Sequence, residues 1–168
     1  FALSDQDDIW LPEKLERATK WFGKIERGVP GLYFTRTELI DQAGKRIGYS
    51  PLFGRIPSFQ NALVQNIGGG NTMVMNKPAI ALLAQTPQSV QLIAHDWWTY
   101  QLVTASGGRA FYDSTPSLRY RQHSNNLIGS NRGVRPRVSR SLAFASGRWK
   151  YWNDVNFKAL QTVRSLFS

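Results

Sequence analysis

Phe1-Ala2-Leu3-Ser4-Asp5-Gln6-Asp7-Asp8 opens the chain, and this stretch sets the class of structure to expect. A short apolar run passing straight into an acidic loop predicts a buried strand that ends in a polar turn. In open α/β sheets, ligands gather outside the carboxyl ends of strands, so these carboxylates stand where a ligand would bind. A buried strand at residue 1 also has no sheet neighbours before it. We therefore expect a fragment that lacks preceding strands.

Working outward, Pro12 suits the first turn of a helix, with Asp7 or Asp8 near its cap. Leu11, Leu15, Ala18 and Phe22 predict one apolar face, ending before Gly28-Val29-Pro30-Gly31. Residues 32–40 read as one strand, Asp41-Gln42-Ala43-Gly44 as a turn, and the segment around Ile47-Gly48-Tyr49 as a second strand. Pro57 to Asn66 predicts a helix broken by Gly68-Gly69-Gly70. Thr72 to Met75 predicts a buried strand, with a helix through Ala79 to Leu83 after it. His95 to Ser106 predicts a helix stopped by Gly107-Gly108, and Ala110-Phe111-Tyr112 and Leu118 to Arg121 predict short strands. From about Leu142 the tail predicts a helix with Trp149, Trp152, Val155, Ala159, Val163 and Leu166 along one side. Strands alternate with helices and nothing repeats, so the expectation is one α/β domain over residues 1–130. A basic, helical extension follows over 131–168.

Composition narrows the chemistry. The 168 residues contain no Cys, which excludes a disulfide framework, a thiolate metal site and a Cys nucleophile. Any metal must be held by carboxylate and imidazole. No apolar run is long enough to span a bilayer. The net charge of +10 is unevenly placed: residues 1–108 carry ten basic and nine acidic side chains, and residues 109–168 carry eleven basic ones against Asp113 and Asp154. A basic C-terminal third suits nucleic acid, an anionic membrane surface or a phosphorylated ligand.

Three places can carry chemistry. Asp5 and Asp7, spaced by one residue, can both face a hard divalent cation such as Mg²⁺ or Mn²⁺; a solvated, helix-capping turn is the plainer reading, and Asp8 suits it best. In His95-Asp96-Trp97-Trp98, an Asp at a helix start beside three rings can serve as a general base, or be an N-cap ahead of core tryptophans. In Tyr120-Arg121-Gln122-His123, a neutral imidazole can complete a metal site begun elsewhere and an Arg can meet phosphate oxygens, though a His in a polar loop is ordinarily just exposed. Gly68-Gly69-Gly70-Asn71 lacks the Lys-Ser/Thr ending of a phosphate loop.

Taken in order, Ser4-Asp5-Gln6-Asp7-Asp8-Ile9-Trp10 with Pro12-Glu13-Lys14-Leu15, Gly70-Asn71-Thr72-Met73-Val74-Met75-Asn76, His95-Asp96-Trp97-Trp98, and Tyr120 through Gly129 resemble the family 2 glycosyltransferases of the rhamnosyltransferase-like branch. The resemblance covers roughly residues 1–130. It implies a GT-A fold, a mostly parallel nucleotide-binding sheet flanked by helices, and a nucleotide-sugar donor used with Mg²⁺ or Mn²⁺. Carried over residue by residue, it implies Asp5, Asp7 and His123 as metal ligands, Asp5, Asp7, Arg121 and Gln122 at the donor diphosphate, and Asp96 as the base of an inverting reaction. Trp97, Trp98 and Asn71 fall at the acceptor pocket; the family commonly has Cys at the position of Asn71. The implied reaction moves a hexose, rhamnose among the candidates, to a hydroxyl of a glycan or lipid-linked acceptor in polysaccharide biosynthesis, in a cytoplasmic setting. At about 30 residues per strand-helix unit, the missing N-terminal portion is on the order of 100 residues. Activity therefore belongs to the parent protein, and this fragment alone is expected to be inactive.

Two rivals read the same residues differently. A nucleic-acid-binding domain without catalysis would use Arg132, Arg135, Arg137, Arg140, Arg148 and Lys150 for phosphates and Trp149, Tyr151 and Trp152 for bases, leaving Asp5, Asp7 and Asp96 unexplained. A glycoside hydrolase would pose Asp96 against Asp7. Residues 132–168 could also dock peripherally on anionic lipid at the inner face of the membrane, or pack their aromatic face on the domain.

Overall fold

A computed structural model describes residues 1–122 and 147–167. Its centre is β2 (Gly31–Thr35), buried along its whole length. Such a strand needs cover on both faces, and its alternation supplies it. Leu32 and Phe34 face one apolar cluster, whereas Tyr33 joins Ala18 and Val74 in a second. Along β2 lie β6 (Arg109–Asp113), parallel, and β5 (Val74–Met75), antiparallel. Ala2 bridges to Val74 on the outer side of β5.

The opening residues are thus strand-like, as expected, but they form an edge. Phe1 and Met75 exchange backbone bonds of 2.8 and 2.7 Å, yet the Phe1 side chain is 69% exposed. A segment paired on one side only cannot bury an end residue, which corrects the expectation of a buried strand. Residues 1–3, β2 and β6 run in one direction, with β5 reversed among them.

A second sheet has the order β1-β7-β3-β4, formed by β1 (Ile9–Trp10), β7 (Leu118–Arg121), β3 (Glu38–Ile40) and β4 (Arg46–Tyr49). The single strand expected over 32–40 is split. At Arg36 the chain leaves the first sheet with a bond from its N–H to Asp113 O, and Thr37 N–H then meets the Ser50 hydroxyl. β3 runs parallel to β7, while the β3–β4 hairpin and the β1–β7 pair are antiparallel. The sheets are mixed, not mostly parallel. The tight turn at 41–44 forces the antiparallel β3–β4 pair, whereas the β1–β7 and β2–β5 pairs join segments far apart in sequence.

Helices cover both faces of the first sheet. On one side lie α2 (Phe59–Val64), α3 (Lys77–Leu83) and α4 (His95–Ala105), with α5 (Arg148–Thr162) adding Ala159 and Leu160 to the same cluster, and Val163 just beyond. On the other lies α1 (Lys14–Phe22). α4 is buried on nearly every side from Trp97 to Val103 and stops where Gly107 takes φ +70°, a backbone state that L side chains disfavour.

α1 departs from its predicted face. Leu15 is 46% exposed, and Lys14 is buried in its place, beside Ala18. Glu13, not Asp7 or Asp8, occupies the N-cap, without a side-chain bond. The Asp8 side chain is engaged by Asn71 instead.

Candidate functional site

The loop Ser4–Asp8 leaves the edge of the first sheet and enters β1 of the second. It therefore meets three other segments: the start of α1, the 3₁₀ turn Gly70–Thr72, and the end of β7. Asp5 is exposed; Asp7 and Asp8 are half-buried. The three carboxylates are close enough to act on one another. Burial raises the Asp8 pKa above the carboxylate norm, opposed by the Asn71 amide and the Arg121 backbone N–H, with the charges of Asp5 and Asp7 adding to the rise. Burial, then the charges of Asp8, Asp5 and Asp7, push the Tyr120 phenol up as well.

Two consecutive residues connect this loop to Asp96. The Asn71 side-chain amide donates to Asp8 Oδ2, and the Gly70 N–H donates to Asp96 Oδ2 at 3.1 Å. Asp96 is the second residue of α4; its other oxygen accepts from the Trp97 N–H at 2.7 Å. The helix N-cap is Ala94, so Asp96 is not the capping residue. A Cβ at Gly70 would lie 2.6 Å from His95 Nε2, so the exposed imidazole would have to turn aside.

Lys14 is the residue that sequence reasoning missed. It is 1% exposed, its ammonium donates to the Asn71 carbonyl, and it lies 4.1 Å from the centroid of the Trp10 ring. Burial lowers its pKa from 10.5 to about 8, with attraction to Asp8 and Asp5 recovering only part. Both members of the Lys14–Asp8 pair are thus shifted toward neutrality. Burial is the largest cause of each shift. One sequence signal could have revealed it: Lys14 stands four residues before Ala18 on the inward side of α1.

Of the other expected site residues, Arg121 does lie against the acidic loop. Its guanidinium donates to backbone carbonyls of Asp7 (3.4 Å), Asp41 (3.3 Å) and Gln42 (2.9 Å). Gln122 extends β7 through its N–H to Ile40 O, and its side-chain nitrogen is buried with no hydrogen-bond partner among the described residues; the same holds for Trp10 Nε1. Buried donors without partners are uncommon, and here two flank one loop. His123 lies outside the described residues. Among those described, no group of three or more His, Asp or Glu side chains converges as a metal cage.

Trp97 and Trp98 are buried among the described residues. They are 5% and 3% exposed, and their indole N–H groups are satisfied by Ala62 O (2.7 Å) and Thr86 Oγ1 (3.0 Å). Trp97 packs edge-on against Trp149 and Trp152, which corrects the acceptor-wall expectation: both indoles are core. Asn71, 8% exposed, ties the loop and turn together. A second unforeseen cluster braces α1 against the β6–β7 connection. Arg17 pairs with Asp113, which also accepts from Tyr33 OH at 2.5 Å. Burial works to raise the Asp113 pKa but is outweighed by these bonds, which hold it low.

The fold and this site define an α/β protein whose carboxylates gather at a loop between two mixed sheets, and comparison with curated proteins suggests a glycosyltransferase-like relationship. The chain is similar to RfbG, a dTDP-rhamnosyl transferase of Shigella flexneri, with 24% identity over 159 residues, covering 88% of this chain and 51% of the relative. The chain thus spans about half the length of the curated relative it matches. No family model matches the chain, and no solved structure does.

Proposed function

We propose that this chain forms part of an inverting, metal-dependent glycosyltransferase of the GT-A type, carrying its cation-binding loop and its base. The observation that carries the reading is the Gly70-Asn71 bridge, which bonds Asp96 through one residue and Asp8 through the next. Residues far apart in sequence thereby share one neighbourhood, which supports a role for Asp96 as base beside the acidic loop.

The residues fit a hard cation. Mg²⁺ takes one or two protein carboxylates and completes its shell with water and substrate phosphate. Asp5 and Asp7 supply such oxygens, Asp8 being turned to Asn71; His123 is proposed as a further ligand. A bound cation would neutralise charge on the departing diphosphate. Arg121 holds the loop by the Asp7 carbonyl, and Gln122 offers a donor without a partner among the described residues for a phosphate oxygen. Asp96 takes the proton of the acceptor hydroxyl as that oxygen attacks the anomeric carbon opposite the leaving group, inverting it. The similarity to RfbG supports a dTDP-linked sugar, with rhamnose first among candidates, passed to a glycan or lipid-linked hydroxyl on the cytoplasmic side.

Trp149 and Trp152 pack on Trp97, whereas Tyr151 and Phe157 on the same helix are exposed. Peripheral membrane contact through 132–168 would use these two rings with basic side chains such as Lys150 and Lys158. Among the described residues, no helix is long and apolar enough to cross a membrane.

A screen of nucleotide sugars with Mn²⁺ or Mg²⁺, dTDP-rhamnose first, run on the full-length protein, tests the reading. Transfer that stops on chelation and in Asp5→Asn and Asp7→Asn supports it; transfer unaffected by all three contradicts it.

A further inference from the structure

We propose that Lys14 is a positioning residue, whose ammonium pins the Gly70–Thr72 turn against the acidic loop and so fixes the separation between Asp96 and the Asp5–Asp7 carboxylates. The inference rests on the transferase reading for its consequence, but on geometry for its substance. Lysines are almost never fully buried without a specific partner. Lys14 is 1% exposed, and its Nζ is directed at the Asn71 carbonyl rather than at solvent. That carbonyl belongs to the residue whose side chain holds Asp8, and the preceding residue's N–H holds Asp96. Three bonds therefore converge on two adjacent residues, one from each part of the site.

The remaining surroundings suit an ammonium held in place. Trp10, at the end of the same acidic loop, offers its ring face 4.1 Å away, a favourable seat for a cation. α1 supplies the rigid base, with Ala18 packed under Tyr33 and Val74. If Lys14 only filled space, a Met or Leu would serve without desolvating a charge. A charged donor aimed at one main-chain oxygen instead specifies where the turn sits. Misplacing a catalytic group by about 1 Å can lower the rate roughly 100-fold, so the brace matters to the base even though Lys14 touches neither Asp96 nor substrate.

The absence of cysteine in this chain permits a clean test. Lys14→Met removes the ammonium and keeps the volume. Lys14→Cys, alkylated while unfolded with 2-bromoethylamine and refolded, restores an ammonium on a side chain of nearly native length. Backbone hydrogen exchange is read at Gly70 and, as control, at Phe34 in β2. Steady-state kinetics are read separately as kcat and donor KM. We expect Gly70 to exchange at least about tenfold faster in Lys14→Met with Phe34 not accelerated, kcat to fall about 10- to 100-fold with donor KM within about threefold, and the alkylated variant to recover both. Unchanged Gly70 exchange overturns the proposal. Equal acceleration at Phe34 does so too, since Lys14 would then be a general stability residue. A raised donor KM at unchanged kcat also overturns it, because Lys14 would then bind donor. Exchange needs no turnover: if the unmodified full-length protein transfers no sugar, the transferase reading falls while the exchange result still decides the brace.

Discussion

Replacing Lys14 by Met should make the protein more stable at neutral pH, although it removes a buried hydrogen bond. The folded pKa of about 8 lies below the ordinary value of 10.5. The unfolded chain therefore holds this proton more tightly, and a charged Lys14 opposes folding at every pH below about 8. The penalty fades as pH rises from 8 toward 10.5, so stability increases over that window, opposite in sign to a lysine that gains from its partner. The separation between the two values corresponds to about 3 kcal/mol at pH 7. Loss of the bond to the Asn71 carbonyl returns about 1 kcal/mol. Lys14→Met should thus gain about 2 kcal/mol at pH 7 and almost nothing at pH 10. Urea unfolding of both proteins in chelator, at the two pH values, measures this. Taking the difference between proteins cancels the titration of other lysines and tyrosines. A variant that loses about 3 kcal/mol at both pH values would refute the reasoning, since the pair would then be net stabilising.

Asn71→Ala removes the amide that holds Asp8, and should lower stability by about 1–3 kcal/mol in urea unfolding. Trp97→Ala empties a buried site between Ala62 and Trp149, and should cost about 3–5 kcal/mol; a change within about 0.5 kcal/mol would mean that the indole is not core. Arg17→Met should raise the midpoint of acid unfolding. The depressed Asp113 pKa contributes stability that is present above the unfolded value and lost as pH falls through the folded one. Wild type and variant should therefore differ near pH 6 and converge at the acid end, a titration followed by tryptophan fluorescence.

Much of the fold was legible because local signals and tertiary demands agreed. α4 begins at His95 and ends before Gly107, as the His95–Ser106 pattern and the glycine pair indicate. The β3–β4 hairpin follows its turn residues. Periodicity failed where the deciding contact was distant. Nothing local marks Arg36 as the point where one strand becomes two, because the cause is the Asp113 carbonyl far along the chain. In α1, hydropathy favoured Leu15 inward, but the acidic loop and Asn71 draw in Lys14 instead. The tryptophans after Asp96 were legible as apolar, not as core or pocket, a distinction set by Ala62, Trp149 and Trp152. At the site, residue types suggested Asp5, Asp7 and Asp96 singly. The link from Asp96 to Asp8 through Gly70 and Asn71 became visible only in three dimensions.

The central claim is that Asp96, held by the Gly70 N–H, takes a proton from a sugar acceptor. Steady-state transfer from a nucleotide sugar by Asp96→Asn, with hydrogen exchange confirming an intact fold, tests it most directly. The account predicts a kcat lower by about 10²- to 10⁴-fold with donor KM nearly unchanged; full transfer by Asp96→Asn would contradict it.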